Sequence, residues 1–366
     1  MSCRPRLLAT ILTFLYTRAT LREPQLSAFA NNRFTTNVTP NEEEVNRVTP
    51  LQFAANSHVL LVLGKGGVGR TTVASALARS AANAGLSVLL VDTEGRGDAS
   101  RFFGDSQPLT WEPRKLYEGG EGTITGQTIT PDDALVEWLE QHGLRTIARR
   151  LASTGALDIV ATGVPGIRDL LVLGKIKQLE RDRVFDLIVV DAPASGHAVS
   201  FLSSPKGLSN AALAGPIRSQ ADSVVEFLSD RARIEIILVT TPEETPIQET
   251  LETYEALRTQ TPVHTRNVVV NQTWHAPTHL GDAIEAAALM DNHDVEPSTS
   301  HVAALSKLLE AARYRMAISA MQTKEVETLR QIDDVAILTL PWVPNDDLEY
   351  VNVLLAECFD AKLQQS

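Results

Sequence analysis

The sequence predicts an α/β fold, a mostly parallel twisted sheet with helices on both faces. Three observations carry that expectation. Short continuous apolar runs recur along the chain: Val59–Leu63, then SVLLVD at 87–92, DLIVVD at 186–191, EIILVT at 235–240, NVVV at 267–270 and AILTL at 336–340. Strands apolar on both faces belong to a sheet covered on both sides, which is the parallel kind. Helical patterns lie between the runs, as crossovers between parallel strands require. Finally, the first run leads through a glycine-rich loop into an alanine-rich helical pattern from Val73 to Ala84.

The elements follow in order. After the strand at 87–92, the polar run TEGRGDAS at 93–100 reads as a loop. Gly119, Gly120 and Gly122 mark another loop. Helices are expected over Pro131–His142 and Leu144–Thr154, the first opened by Pro131, Asp132 and Asp133, a proline and two acids suited to a first helical turn. Leu157–Thr162 reads as a short strand, and Pro165 and Gly166 open an amphipathic helix through Lys177. A long alanine- and leucine-rich helical stretch covers 275–330, interrupted by an Asn/His/Asp/Pro loop at 291–297. A last strand at Ala336–Leu340 and a closing helix at Asp346–Leu363 complete the chain. The expected organisation is an N-terminal extension over 1–55 and one nucleotide-binding domain over 56–363. Stretches of about 105–185 and 275–330 would contribute a helical subdomain to it.

Composition bounds the function. The chain has 366 residues, a formal charge of −12 and 43% hydrophobic residues, enough for one large α/β domain. An acidic balance argues against nucleic acid as the main partner, because neutralising phosphates needs basic surface. The two cysteines, Cys3 and Cys358, sit at opposite ends with no CxxC, which argues against a cysteine-built metal site and is compatible with a reducing cytoplasm. Residues 1–55 are set apart: Arg4, Arg6, Arg18, Arg22 and Arg33 are basic, and no acid precedes Glu23. The run Leu7–Tyr16 is too short for a normal membrane span, and no other stretch approaches that length, so stable membrane insertion is not expected. A transit peptide for organelle import, a secretory signal and an N-terminal extension compete there; the extension and a cytoplasmic location are preferred.

Residues 58–72 read HVLLVLGKGGVGRTT. Strand, glycine loop and helix form the context of a phosphate-binding P-loop, and the fold expected is that of a P-loop NTPase. Gly64, Gly66, Gly67 and Gly69 let the backbone curl so that successive N–H groups, with Lys65, Val68, Arg70 and Thr72 in the same run, face phosphate oxygens. The helix N-terminus adds partial positive charge. Thr71 would hold Mg²⁺. Asp191 ends the apolar run Leu187–Val190 as a Walker-B aspartate does, and its carboxylate would hold a water on the same ion; an ordinary strand-end cap is the plainer alternative. The unusual residue is Arg70, where the common motif has lysine.

Taken together, the motifs resemble the arsenite-pump and tail-anchored-protein-targeting ATPases, the ArsA/Get branch of the SIMIBI class. The loop GKGGVGRTT, with its early lysine, is similar to the deviant Walker A motif of that class, and DAPASGHAVSFL at 191–202 resembles its switch II. PGIRDLL at 165–171, VTTPEETPIQE at 239–249 and VVVNQ at 268–272 resemble further blocks of the branch, in the same order. The resemblance implies a dimeric, Mg²⁺-dependent ATP hydrolase, either a homodimer or a heterodimer with a paralogue. Its cycle would be coupled to a protein partner or a hydrophobic client. Lys65 matches the signature lysine that in relatives reaches across the interface to the partner's phosphates. Glu94 matches the switch I aspartate that polarises the attacking water, one methylene longer, with Asp92 and Asp98 as nearby substitutes. Gly196 and His197 fall in switch II, where the histidine would couple the γ-phosphate to subunit movement. Asn271 matches the adenine-contacting asparagine, and Pro341 and Trp342 follow the last strand where relatives contact the base.

Departures from the pattern narrow the reading. No cysteine lies in the helical subdomain stretches of about 105–185 and 275–330, which disfavours arsenite binding, and the zinc-binding CxxC of the targeting ATPases is missing. Met290, Met316 and Met321 are few for a methionine-rich client groove. A degenerate nucleotide-binding regulator is the alternative from another class, with Arg70 as its cause, because a forked guanidinium is not equivalent to a compact ammonium. A partition ATPase is not supported, since the closing segment is net acidic. On the sequence alone, Arg70→Lys is expected to preserve or raise turnover.

Overall fold

A computed structural model describes residues 57–95, 98–119, 122–154, 166–193, 198–212, 214–276, 280–281, 284, 299–332 and 335–360. The strands are β1 (Val59–Gly64), β2 (Ser87–Asp92), β3 (Arg114–Gly119), β4 (Gly122–Thr128), β5 (Leu187–Asp191), β6 (Ile234–Thr240), β7 (Thr265–Thr273) and β8 (Ala336–Pro341). The helices are α1 (Arg70–Asn83), α2 (Pro131–Gln141), α3 (Arg145–Thr154), α4 (Ile167–Asp182), α5 (Ala198–Ala211), α6 (Pro216–Ser229), α7 (Glu244–Gln260), α8 (Thr299–Leu329) and α9 (Leu348–Asp360). A short 3₁₀ turn covers Asp98–Phe103. The strands form one sheet in the order β3-β4-β2-β5-β1-β6-β7-β8, with β3 antiparallel to β4 and the other pairings parallel.

The period-2 geometry of a strand sends alternate side chains to opposite faces, and here both faces are covered. Val59, Leu61 and Leu63 of β1 join one core cluster with α4, α5, α6 and α7 residues such as Leu173, Phe201, Phe227 and Ile247. Leu60 and Val62 join the other, against α1, the 3₁₀ turn and α9, through Val73, Leu77, Phe102, Leu355 and Phe359. Burial of a Leu or Val side chain contributes roughly 1.5–3 kcal/mol, so the five buried apolar positions of β1 alone anchor the centre of the sheet. A smaller cluster joins α2, α3 and α4 through Leu135, Leu139, Ala148 and Leu171.

The stretch 105–185, expected to be a helical contribution, also supplies two strands of the main sheet. Gly119 and Gly122, read as loop markers, end β3 and begin β4. Gly122 has a packing reason: a Cβ there would lie 2.0 Å from the carbonyl oxygen of Ala82 at the end of α1. The expected helices at 131, 144 and 166 appear as α2, α3 and α4, with Thr130 capping α2 by accepting a hydrogen bond from the N–H of Asp133 at 3.2 Å. The expected strand at 157–162, the loop at 291–297, Met290 and the segment 1–55 lie outside the described residues. Among the described residues, no helix is long and apolar enough to cross a membrane.

Candidate nucleotide site

The sheet order decides where a ligand can sit. From β1, the chain crosses to β2 on one side, while β6 and β7 lie on the other. Such a reversal opens a crevice beyond the carboxyl ends of the strands, the binding position of open α/β sheets. The glycine loop leaves β1 there and enters α1.

Two glycines in the loop are dictated by their surroundings. Gly69 has φ +88°, in the left-handed region, and a Cβ on it would lie 2.3 Å from Asn271 Nδ2. Gly64 ends β1 with its would-be Cβ 2.5 Å from the Val239 carbonyl oxygen. Asn271 is buried on β7 and donates from Nδ2 to the Val68 carbonyl at 3.0 Å. The resemblance places Asn271 at adenine; in this structure its amide braces the loop itself. Val68 is buried, whereas Lys65 and Thr72 are half-buried and Gly66 and Gly67 exposed or nearly so.

Thr71 and Asp191 come together as the motif spacing implied. The Thr71 hydroxyl donates to Asp191 Oδ2 at 2.6 Å. Asp191 Oδ1 is buried and has no hydrogen-bond partner. Burial pushes the Asp191 carboxyl up to about 6; the Thr71 hydroxyl and the Arg70 guanidinium oppose that, and the carboxylates of Asp92 and Glu94 add to it. A buried acceptor oxygen beside a hydroxyl, next to a glycine loop, fits the oxygen chemistry of Mg²⁺, which is commonly held by one or two protein oxygens together with substrate phosphates. Among the described residues, no cluster of three or more His, Cys, Asp or Glu side chains offers an all-protein cage.

The acidic loop after β2 is tied to the same point. Asp92 and Asp191 are register partners at the ends of adjacent parallel strands. The Thr93 N–H and hydroxyl donate to the Asp191 carbonyl at 3.2 and 2.9 Å, and the Glu94 N–H donates to Asp92 Oδ1 at 2.9 Å. Arg70 closes the arrangement. Its Nη2 donates to Glu94 Oε1 at 3.1 Å, and its Nη1 donates to the carbonyl of Ala192, immediately after Asp191. Asp98, the more distant substitute for Glu94, is exposed in the 3₁₀ turn. Gly196 and His197 lie outside the described residues.

Lys65 points the other way. Its Nζ lies 3.3 Å from Glu249 Oε1 on α7, and both side chains are about one-third exposed, at 36% and 35%. Glu249 ends the VTTPEETPIQE motif, and its pairing with Lys65 is not legible in the sequence, since α7 reaches the loop only through the fold.

At the far side of the crevice, Pro341 pairs in register with Thr273 of β7. That register sends Trp274 and Trp342 out side by side, and their rings stack at 4.8 Å with 16° between planes. Trp274 was missed by sequence reasoning. The signal was available: it follows the asparagine strand by the same logic by which Trp342 follows β8. Tyr314 of α8 meets Trp274 edge-on at 6.4 Å, and Arg315 stands over the same ring at 5.8 Å. Trp342 is 44% exposed.

Comparison with known proteins agrees with this geometry. Residues 57–214 match the family of anion-transporting ATPases, ArsA_ATPase. The ATPase BagA of Mycobacterium tuberculosis H37Rv is 38% identical over 228 residues, which cover 60% of this chain and 66% of the relative, just under two thirds of its length. The ATPase get3 of Schizosaccharomyces japonicus is 29% identical over 152 residues, 42% of this chain and 45% of the relative. The ATPase GET3 of Mycosarcoma maydis is 30% identical over 152 residues, 42% of this chain and 43% of the relative. The strand–loop–helix arrangement and the Thr71–Asp191 pair beneath it accompany these matches, and over residues 57–214 the chain is similar to the ArsA-type family of anion-transporting ATPases.

Proposed function

We propose that the protein is a Mg²⁺-dependent ATPase with a deviant Walker A loop, hydrolysing ATP at an interface between two subunits to drive a conformational cycle coupled to a protein partner or client. The observation that carries this reading is the 2.6 Å contact between Thr71 and Asp191, with the second Asp191 oxygen buried and unpartnered. The loop N–H groups from Gly66 to Thr72 bind the phosphates, aided by the α1 N-terminus. Thr71 and Asp191 hold Mg²⁺, which when bound neutralises charge on the phosphate oxygens. Glu94 orients the attacking water, and Trp342 and Asn271 border the base.

Lys65 supports the two-subunit part. It sits at the exposed end of the loop on a single surface ion pair, from which it can be withdrawn toward a partner subunit. The partner is a second copy of this chain or a paralogue, and the cytoplasm is the proposed location. A second reading, in which the cycle serves a hydrophobic client, is favoured by one observation: Leu308, Tyr314, Met316 and Met321 of α8 are exposed, at 37% to 61%.

Phosphate release with Mg²⁺-ATP tests the central reading. The wild-type protein should exceed Thr71→Ala by about 100-fold, in line with the loss on disturbing a metal's protein contacts. Equal rates would sink the reading. Light scattering with a non-hydrolysable ATP analogue tests the interface: the mass of this chain should double when no paralogue is required.

A further inference from the structure

Two residues of the site depart from the pattern that the chain resembles, and they touch each other. Arg70 stands where the common loop has lysine, and Glu94 stands where the resemblance places aspartate. Arg70 Nη2 lies 3.1 Å from Glu94 Oε1, with the side chains 10% and 22% exposed. The other terminal nitrogen, Nη1, donates to the Ala192 carbonyl, one residue beyond Asp191. We infer that Arg70 is a positioning residue for Glu94, and that the pair is matched in length, a longer cation with a longer carboxylate.

The geometry explains why both must change together. The backbone of the 92–94 loop is fixed independently: Thr93 is bound to the Asp191 carbonyl, and the Glu94 N–H to Asp92. The guanidinium takes hold of the Glu94 carboxylate while anchored on the exit of β5. A fork with two separate nitrogens can serve a carbonyl and a carboxylate at once; an ammonium has one nitrogen on a more flexible stem. An aspartate at 94 would withdraw the carboxylate by one methylene, about 1.5 Å, and open a gap to the fork. With lysine at 70 and aspartate at 94 the site would return to the shorter combination that the resemblance describes. The strong departure in the loop is therefore compensated across the site, which is what a functioning enzyme requires and a decaying one does not.

This inference rests on the ATPase reading, and its test separates the two. The variants R70K, E94D and R70K/E94D are compared with wild type for kcat and KM in Mg²⁺-ATP turnover, for binding of a fluorescent ATP analogue, and for thermal unfolding. Each single change should lower kcat by about 10- to 100-fold, the range for misplacing a reacting group by about 1 Å, with analogue affinity held within about threefold. The double variant should recover, exceeding both singles, because contacting residues are not additive. If R70K melts early, Arg70→Met, which keeps the stem and drops the fork, takes its place with the same expected loss. Wild-type kcat in R70K overturns the inference. So does a double variant at the product of the two single losses, or analogue binding that falls in step with kcat, which would make Arg70 a phosphate ligand. A wild-type protein that releases no phosphate overturns the ATPase reading as well.

Discussion

The two ends of the glycine loop carry one cation each and treat them in opposite ways. Arg70, at the α1 end, is 10% exposed and held by two acceptors on two different loops. Lys65, at the β1 end, is 36% exposed and held by one carboxylate across the surface. Removing one partner of a buried charge pair leaves an uncompensated charge and costs about 3–5 kcal/mol. An exposed pair is worth about 0–1 kcal/mol. The same loop thus has a firmly held inner end and a loosely held outer end, a difference that the proposed two-subunit site would use.

The largest expected effect tests the loose end. Lys65→Ala should lower phosphate release by about 10³-fold, the lower range for removing a cation supplied across an interface, while analogue binding persists. Unchanged turnover would make Lys65 a surface lysine and erase the contrast. The next tests how strained the fixed end is without metal. Native Asp191, pushed up to about 6, keeps its proton to higher pH than the unfolded chain does. Its contribution to stability is therefore fully present at low pH and is lost as pH rises toward about 6. Asp191→Asn should then raise unfolding stability at pH 8 without Mg²⁺ by up to about 3 kcal/mol, and by little at pH 4. A gain independent of pH would point to a cause other than ionisation.

A smaller effect is expected at the brace behind the loop. Asn271→Ala frees the Val68 carbonyl and should lower unfolding stability by about 1–3 kcal/mol even without nucleotide, as read by denaturant titration. If stability is unaffected and only nucleotide affinity drops, Asn271 serves the base and not the loop. The smallest belongs to Glu249→Gln, which should change stability by less than about 1 kcal/mol, with the difference shrinking in high salt. A larger change would show that Lys65 is less free to leave than its exposure suggests.

Much of the sheet was legible because a parallel sheet covered on both faces writes its strands as unbroken apolar runs. β1, β2, β5, β6, β7 and β8 all appeared that way. β3 and β4 did not. RKLYEG and GTITGQT mix polar and apolar residues, and their glycines suggested a loop, because an antiparallel pair near the sheet edge needs no continuous apolar run. In the site, Thr71 and Asp191 were legible because each follows a strand by a fixed offset. The Asn271–Val68 bond, 203 residues apart in sequence, and the Lys65–Glu249 pair were not, because only the sheet order brings those residues together. Arg70 was visible as an oddity, but its contact with Glu94 was not, and from that contact we expect Arg70→Lys to lower turnover.

The stacked tryptophans at the ends of β7 and β8 give the molecule an optical handle. Of the four tryptophans, Trp111 precedes β3 and Trp138 lies on α2, whereas Trp274 and Trp342 sit at the opposite edge of the sheet. With strands about 4.8 Å apart, the seven spacings between β3 and β8 separate them by roughly 34 Å. A change of emission on nucleotide binding beside Asn271 should therefore come from the stacked pair, over a constant background from the other two tryptophans. Replacing Trp342 with Phe would diminish that change and leave Trp274 as its remaining source, so that nucleotide arrival is read as a change of light without any added label.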